Sequence, residues 1–78
     1  MNKDRRKQID EAIAHLEAAK ELLTTAENEE QEYYDNMPEN MQGGDKGQAA
    51  ESAASYLSDA VSSIEDAIGS AEESKNAS

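Results

Sequence analysis

From Lys3 to about Met37 the chain has no glycine or proline, and its apolar residues return at steps of three and four: Ile9, Ile13, Leu16, Leu23, Ala26, Tyr34 and Met37. That spacing lines one face of a helix, and strand alternation is absent. The residues between are mostly Ala, Glu, Leu, Lys and Gln, all strong helix formers. The pattern predicts a first helix over about 3–37, roughly 52 Å long at ~1.5 Å per residue. "LLTTAEN" is the stretch expected to bend or weaken it, and Glu30 intrudes on its apolar face.

The pattern stops at Pro38, which disfavours helical geometry at Met37. The turn is placed at 38–45. "PENMQ" fits one short helical turn with Pro38 at its first position. Gly43 and Gly44 are expected to supply positive φ where the chain reverses. Asp45 with Gln48 three residues on reads as a capping box. A second helix then runs over about 46–74, with Leu57, Ile64 and Ala71 at heptad spacing and Ala53, Ala60 and Ala67 between them. This is a coiled-coil-like seam. Its many serines lower its intrinsic propensity, so it depends on packing. The tail, residues 75–78, is expected to fray.

A short connection favours antiparallel neighbours. The fold class is therefore all-α: a single domain, 1–78, made of an antiparallel two-helix hairpin. Reversal near Gln42 and Gly43 pairs residues whose numbers sum to roughly 85, setting Leu16 against Ile68 and Leu23 against Val61. In that register large residues often face small ones. Tyr33, Tyr34, Met37 and Met41 then meet Ala49, Ala50, Ala53 and Tyr56 and close the turn end.

Composition narrows the function classes. There is no cysteine, so disulfides and thiolate metal sites are excluded. No apolar run approaches the ~20 residues of a membrane span, and no secretory signal is recognisable. A soluble, cytoplasmic protein is the expectation. Eighteen acidic residues oppose seven basic ones, for a net charge of -11. Four of the cations, Lys3, Arg5, Arg6 and Lys7, crowd the N-terminus, near Glu72 and Glu73 in the antiparallel register. Direct nucleic-acid binding is not expected, because phosphate affinity needs clustered cations. A basic protein surface is the natural counterpart of so negative a field.

Three features remain as candidates for function. The run "ENEEQEYYDNMPE" holds Glu27, Glu29, Glu30, Glu32, Asp35 and Glu39 with no base; it is either a solvated face or a surface for a basic partner. Asp10, Glu17, Glu21, Asp59, Glu65 and Asp66 extend it along the rod. Carboxylates so arranged can imitate duplex phosphates. His15, Leu22, Ala26 and Tyr33 form a flank beside the main seam, either a ragged core edge or an interface. Two hairpins joined there would make a four-helix bundle. Catalysis has no constellation to support it: the one histidine, His15, has no nucleophile beside it, and Glu11 with His15 is too small a ligand set for a metal site. The calcium-loop spacing is absent around Asp35 and Asp45. No cofactor and no enzymatic activity are expected.

"DEAIAHLEAAKELL", "NEEQEYYDNMPENMQ" and "SYLSDAVSSIEDAI" together resemble a group of small acidic helical-hairpin proteins carried by bacteriophages and other bacterial mobile elements. The resemblance covers nearly the whole chain. Its most specific residues are Glu30, Gln31, Glu32, Tyr34, Asp35, Asn36, Pro38, Glu39 and Gln42. The second helix departs from the group by having serines where the group has more carboxylates. The resemblance implies a phage or mobile-element origin and brings no reaction and no assigned site. With the charge, it points to a non-enzymatic protein that occupies the basic surface of a nucleic-acid-binding or defence protein. The alternative is a self-associating assembly protein.

Overall fold

The side chain of Asn2 accepts a 2.7 Å hydrogen bond from the backbone N–H of Arg5 and caps a helix, α1, over Lys3–Asp35. The structure, a computed structural model, describes residues 1–77. A short helix, α2, spans Glu39–Gln42, and a third, α3, spans Asp45–Asn76. The two long helices pack against each other as an extended hairpin measuring 58 × 16 × 13 Å. The all-α hairpin read from the sequence is the architecture of the chain.

α1 runs unbroken through "LLTTAEN". Thr25 turns its hydroxyl back onto the carbonyl of Glu21 at 3.1 Å, so the threonine adds a bond there and leaves the helix intact. α1 ends two residues before the expected Met37. Asn36 is its C-cap, its N–H bonding the Glu32 carbonyl at 2.9 Å, and Met37 is released to become one of the few buried side chains. Pro38 is the N-cap of α2 instead of its first residue. Its ψ of 146° is extended, and its carbonyl accepts from Met41 and Gln42.

The expectations at the glycines are corrected. No described residue has positive φ; Gly43 and Gly44 sit at -81° and -85°. The α2 turn spreads the reversal over several residues, so none has to adopt the left-handed region. The capping box is absent too. α3 starts one residue earlier than that motif requires, with Gly44 as N-cap and Asp45 inside the first turn. Gln48 sends its side-chain amide to the Gly43 carbonyl at 3.2 Å. At the far end α3 continues to Asn76, past the expected fraying point at Lys75. Lys75 pairs with Asp10 across the hairpin; Ser78 lies outside the described residues.

The glycine that the geometry requires is Gly47. It is buried in the first turn of α3, against the end of α2. A Cβ on it would overlap the carbonyl oxygen of Gln42 and lie 2.5 Å from its carbonyl carbon. These are backbone atoms and cannot rotate away. Gln42 is held in turn by its side-chain amide, which donates to the Tyr34 carbonyl at 3.1 Å. The three helices are thereby fastened together at the turn.

Inward positions recur at alternating steps of three and four along both long helices: Ile9, Ile13, Leu16, Lys20, Leu23, Glu27, Glu30, Tyr34 and Met37 on one side, and Gly47, Ala50, Ala54, Leu57, Val61, Ile64, Ile68 and Ala71 on the other. Lys20–Glu65 and Asp10–Lys75 fit the expected register sum of about 85. The core is thin. Among the described residues only Ile13, Met37, Ala50 and Ala54 are buried apolar side chains, and three of them lie near the turn. The surface of 5649 Å² exceeds the roughly 4,700 Å² of a compact monomer of this size.

α1 also carries its charge against its dipole. Lys3, Arg5 and Arg6 sit at the positive end, while Glu32 and Asp35 sit at the negative end, with no base in the last turn. Each misplacement at an exposed helix end costs about 0.3–1 kcal/mol. α3 is mixed at both ends, Asp45 and Lys46 sharing its first turn and Glu73 and Lys75 its last.

Two substitutions of the same type should therefore have opposite signs. Gly47→Ala is expected to destabilise the hairpin by about 1–3 kcal/mol, overlap outweighing the gain in helix propensity. Gly69→Ala, with nothing within 4 Å of the added carbon, should stabilise it by about 0.5–1 kcal/mol. Thermal melts followed by circular dichroism check both.

Candidate functional site

The heptad positions divide the hairpin into two unlike sides. On one side, Ala14, Glu17 and Glu21 of α1 line a shallow groove with Glu65 and Gly69 of α3. Lys20 reaches Glu65 there at 3.9 Å, and Lys75 meets Asp10. These pairs are partly exposed, so each is worth at most about 1 kcal/mol. They mark the register more than they hold it. The side is acidic, carrying Asp10, Glu17, Glu21 and Glu65. None of Lys3, Arg5, Arg6 and Lys7 forms an ion pair among the described residues. The expected offset by Glu72 and Glu73 is thus not made, because Lys75 takes the cross-hairpin contact at that end.

The opposite side is apolar and small. Ala12, His15, Ala19, Leu22, Ala26, Glu29 and Tyr33 follow one another along α1 at steps of three and four, forming a second stripe beside the core. Ala19 and Ala26 are half-buried at the edge of the seam. His15, Leu22 and Tyr33 stand outside it, Leu22 with 74% and Tyr33 with 52% of its surface exposed. The flank seen in the sequence is therefore one continuous stripe. The register places Ala53, Ala60 and Ala67 of α3 along the same side, with Tyr56, 75% exposed, at its outer edge.

The acidic run separates into two sets. Glu27 and Glu30 occupy inward positions and are half-buried. Glu29, Glu32, Asp35 and Glu39 are exposed and ring the turn end as a collar. Gln31 donates to Asp35 at 3.0 Å, one turn away. Met37 is buried and Tyr34 half-buried, so these two close the hairpin end as expected. Tyr33, Met41 and Tyr56 do not join them and remain exposed.

Glu51 belongs to the collar and was missed in the sequence. It lies in α3, outside the acidic run, and only the antiparallel register brings it to Tyr34. The Tyr34 hydroxyl hydrogen-bonds to its carboxylate. Burial pushes the Tyr34 phenol above its ordinary value of 10.0; the bond to Glu51 and the charges of Glu51 and Asp35 push the same way.

Among the described residues, no three His, Asp or Glu side chains are grouped to hold a metal ion. His15 is exposed, and among the described residues no buried side-chain polar atom lacks a partner. Among the described residues no helix is long and apolar enough to cross a membrane. Compared with known proteins, the chain matches no family model, no curated protein and no solved structure.

The Tyr34 shift predicts an alkaline transition. A raised phenol favours the neutral form in the fold. Its contribution is complete below the unfolded value and disappears as pH climbs through the folded one. Melting temperature should therefore fall more steeply above about pH 10 in the wild type than in Tyr34→Phe, a comparison that parallel melts across that range provide.

Proposed function

We propose that this protein is a small, non-enzymatic, acidic protein-binding module whose turn-end carboxylates engage a basic protein surface. The observation that carries this reading is the collar itself. Glu32 and Asp35 occupy the last turn of α1 with no base beside them, where each works against the helix dipole, and the exposed Glu29 and Glu39 add to their field. Charge placed at a cost to folding stability is better explained by what it meets outside the molecule. The acidic groove side, with Asp10, Glu17, Glu21 and Glu65, extends the field along the rod.

The class of partner follows from charge density. A net charge of -11 over 58 Å is one charge per about 5 Å, whereas a duplex carries one per about 1.7 Å. The rod is about a third as dense, and the serines of α3 account for much of the difference. It would occupy part of a basic groove, in the manner of a partial DNA mimic, and would not reproduce a whole duplex. The resemblance to phage and mobile-element proteins supports a setting in which that partner is a nucleic-acid-binding or defence protein of the bacterial host, held inactive by occupation of its basic surface.

The test is capture from bacterial lysate on the immobilised chain, beside a variant carrying Glu32→Gln, Asp35→Asn and Glu39→Gln. The wild type should retain a basic protein whose binding weakens about tenfold or more between low and physiological salt. The variant should lose it while keeping its helical circular dichroism. Equal retention by both chains, or binding indifferent to salt, would overturn the proposal.

A further inference from the structure

The apolar side of the hairpin has no occupant within the chain. We propose that a second copy of this chain covers it, laid antiparallel, so that α1 faces α1 and the two hairpins form a four-helix bundle with both acidic groove sides outward. This goes beyond the collar reading and does not depend on it.

Three observations select the second copy. The first is the order of charge along the stripe. Extending it by one heptad toward the N-terminus reaches Arg5; toward the turn it passes Glu29. The stripe thus reads basic, then Ala12, His15, Ala19, Leu22 and Ala26, then acidic. A strip with opposite ends and an apolar middle is complementary to itself when turned end for end. A two-fold axis crossing α1 between Glu17 and Ala19 brings Arg5 of each copy within about a turn of Glu29 of the other. The second is the reversed charging of α1 described above. Lys3, Arg5, Arg6 and Lys7 have no ion pair among the described residues, and the last turn of α1 at the opposite end holds no base. An antiparallel copy sets each end against its opposite, relieving both at once. A parallel copy would set cations on cations and collar on collar.

The third is area and shape. With the axis there the copies share about 45 Å, residues 3–33 of α1 at ~1.5 Å per residue, and at 16 Å wide that offers about 700 Å² per copy, near the roughly 800 Å² per partner of a stable interface. Alanines at 12, 19, 26, 60 and 67 permit close approach of helices, and Leu22 and Tyr33 stand out to fill the space between them. The Arg5 contact takes up Glu29, while Glu32 and Asp35 stand at outward positions of α1 and stay accessible in the dimer.

Sedimentation equilibrium on four chains tests the arrangement: wild type, Arg5→Glu, Glu29→Arg and the double swap. Arg5 and Glu29 of one copy are roughly 36 Å apart along the helix, far beyond the ~8 Å screening length. Coupling between them therefore reports contact between copies. Wild type should be dimeric. Each single reversal should raise the dissociation constant about fivefold or more, since two contacts per dimer turn from attraction to repulsion. The double swap should restore it. Glu29→Arg is the sharper arm, because it lowers the net negative charge and would strengthen any association limited by overall repulsion. Circular dichroism at the same concentrations shows whether each chain stays helical. The reversals leave every apolar contact in place, so a loss of dimer does not have to mean a loss of fold. A wild-type monomer at millimolar concentration, singles that associate more tightly than wild type, or a double swap no tighter than the singles would each overturn the proposal.

Discussion

At Gly47 the backbone of α3 passes so close to the carbonyl of Gln42 that no side-chain carbon fits between them. The rest of the hairpin is set out from that approach. It fixes where α3 begins, Gln42 anchors the same point to the end of α1 through the Tyr34 carbonyl, and the two long helices leave the turn in a defined register. With only one interface in the hairpin, register decides everything else: which residues are inside, which carboxylates share a side, and which alanines are left facing outward.

Much of this was legible in the sequence. Uninterrupted helix formers before Pro38, the heptad spacing of Leu57, Ile64 and Ala71, and a short connection were enough for two antiparallel helices. The register followed because the apolar spacing on each helix independently demanded it. What was not legible depended on backbone geometry. Gly43 and Gly44 look like reversal residues, but φ is a property of the whole turn, and α2 removed the need for a left-handed residue. Gly47 looks like an ordinary weak point in a helix, since its role comes from a neighbour five residues away that only the fold brings near. Glu51 could have been joined to Tyr34 by applying the register to polar residues as well as apolar ones. The acidic run reads as one block in sequence, yet the helix turns Glu27 and Glu30 inward, because consecutive charges on a helix cannot all face the same way.

The surface is organised by the same arithmetic. One side gathers carboxylates along a shallow groove; the other gathers alanines, a leucine and two tyrosines. Neither arrangement is required by the core, which uses only the seam between them. Charge is also distributed lengthwise along α1, with Lys3, Arg5, Arg6 and Lys7 at the open end and Glu32 and Asp35 at the turn. A rod that is polar from side to side and from end to end has a defined orientation for anything that docks on it.

The ladder of contacts also has a direction in time. Near the turn, partners are separated by a handful of residues, whereas Asp10 and Lys75 are 65 residues apart in the chain. Closing a loop loses more chain entropy as the loop lengthens, so the hairpin should zip from the Gln42–Gly47 corner toward its termini and open in the reverse order. The last rungs to close are those at the basic end, and local breathing there can expose Ile9 and Ile13 while the corner stays shut.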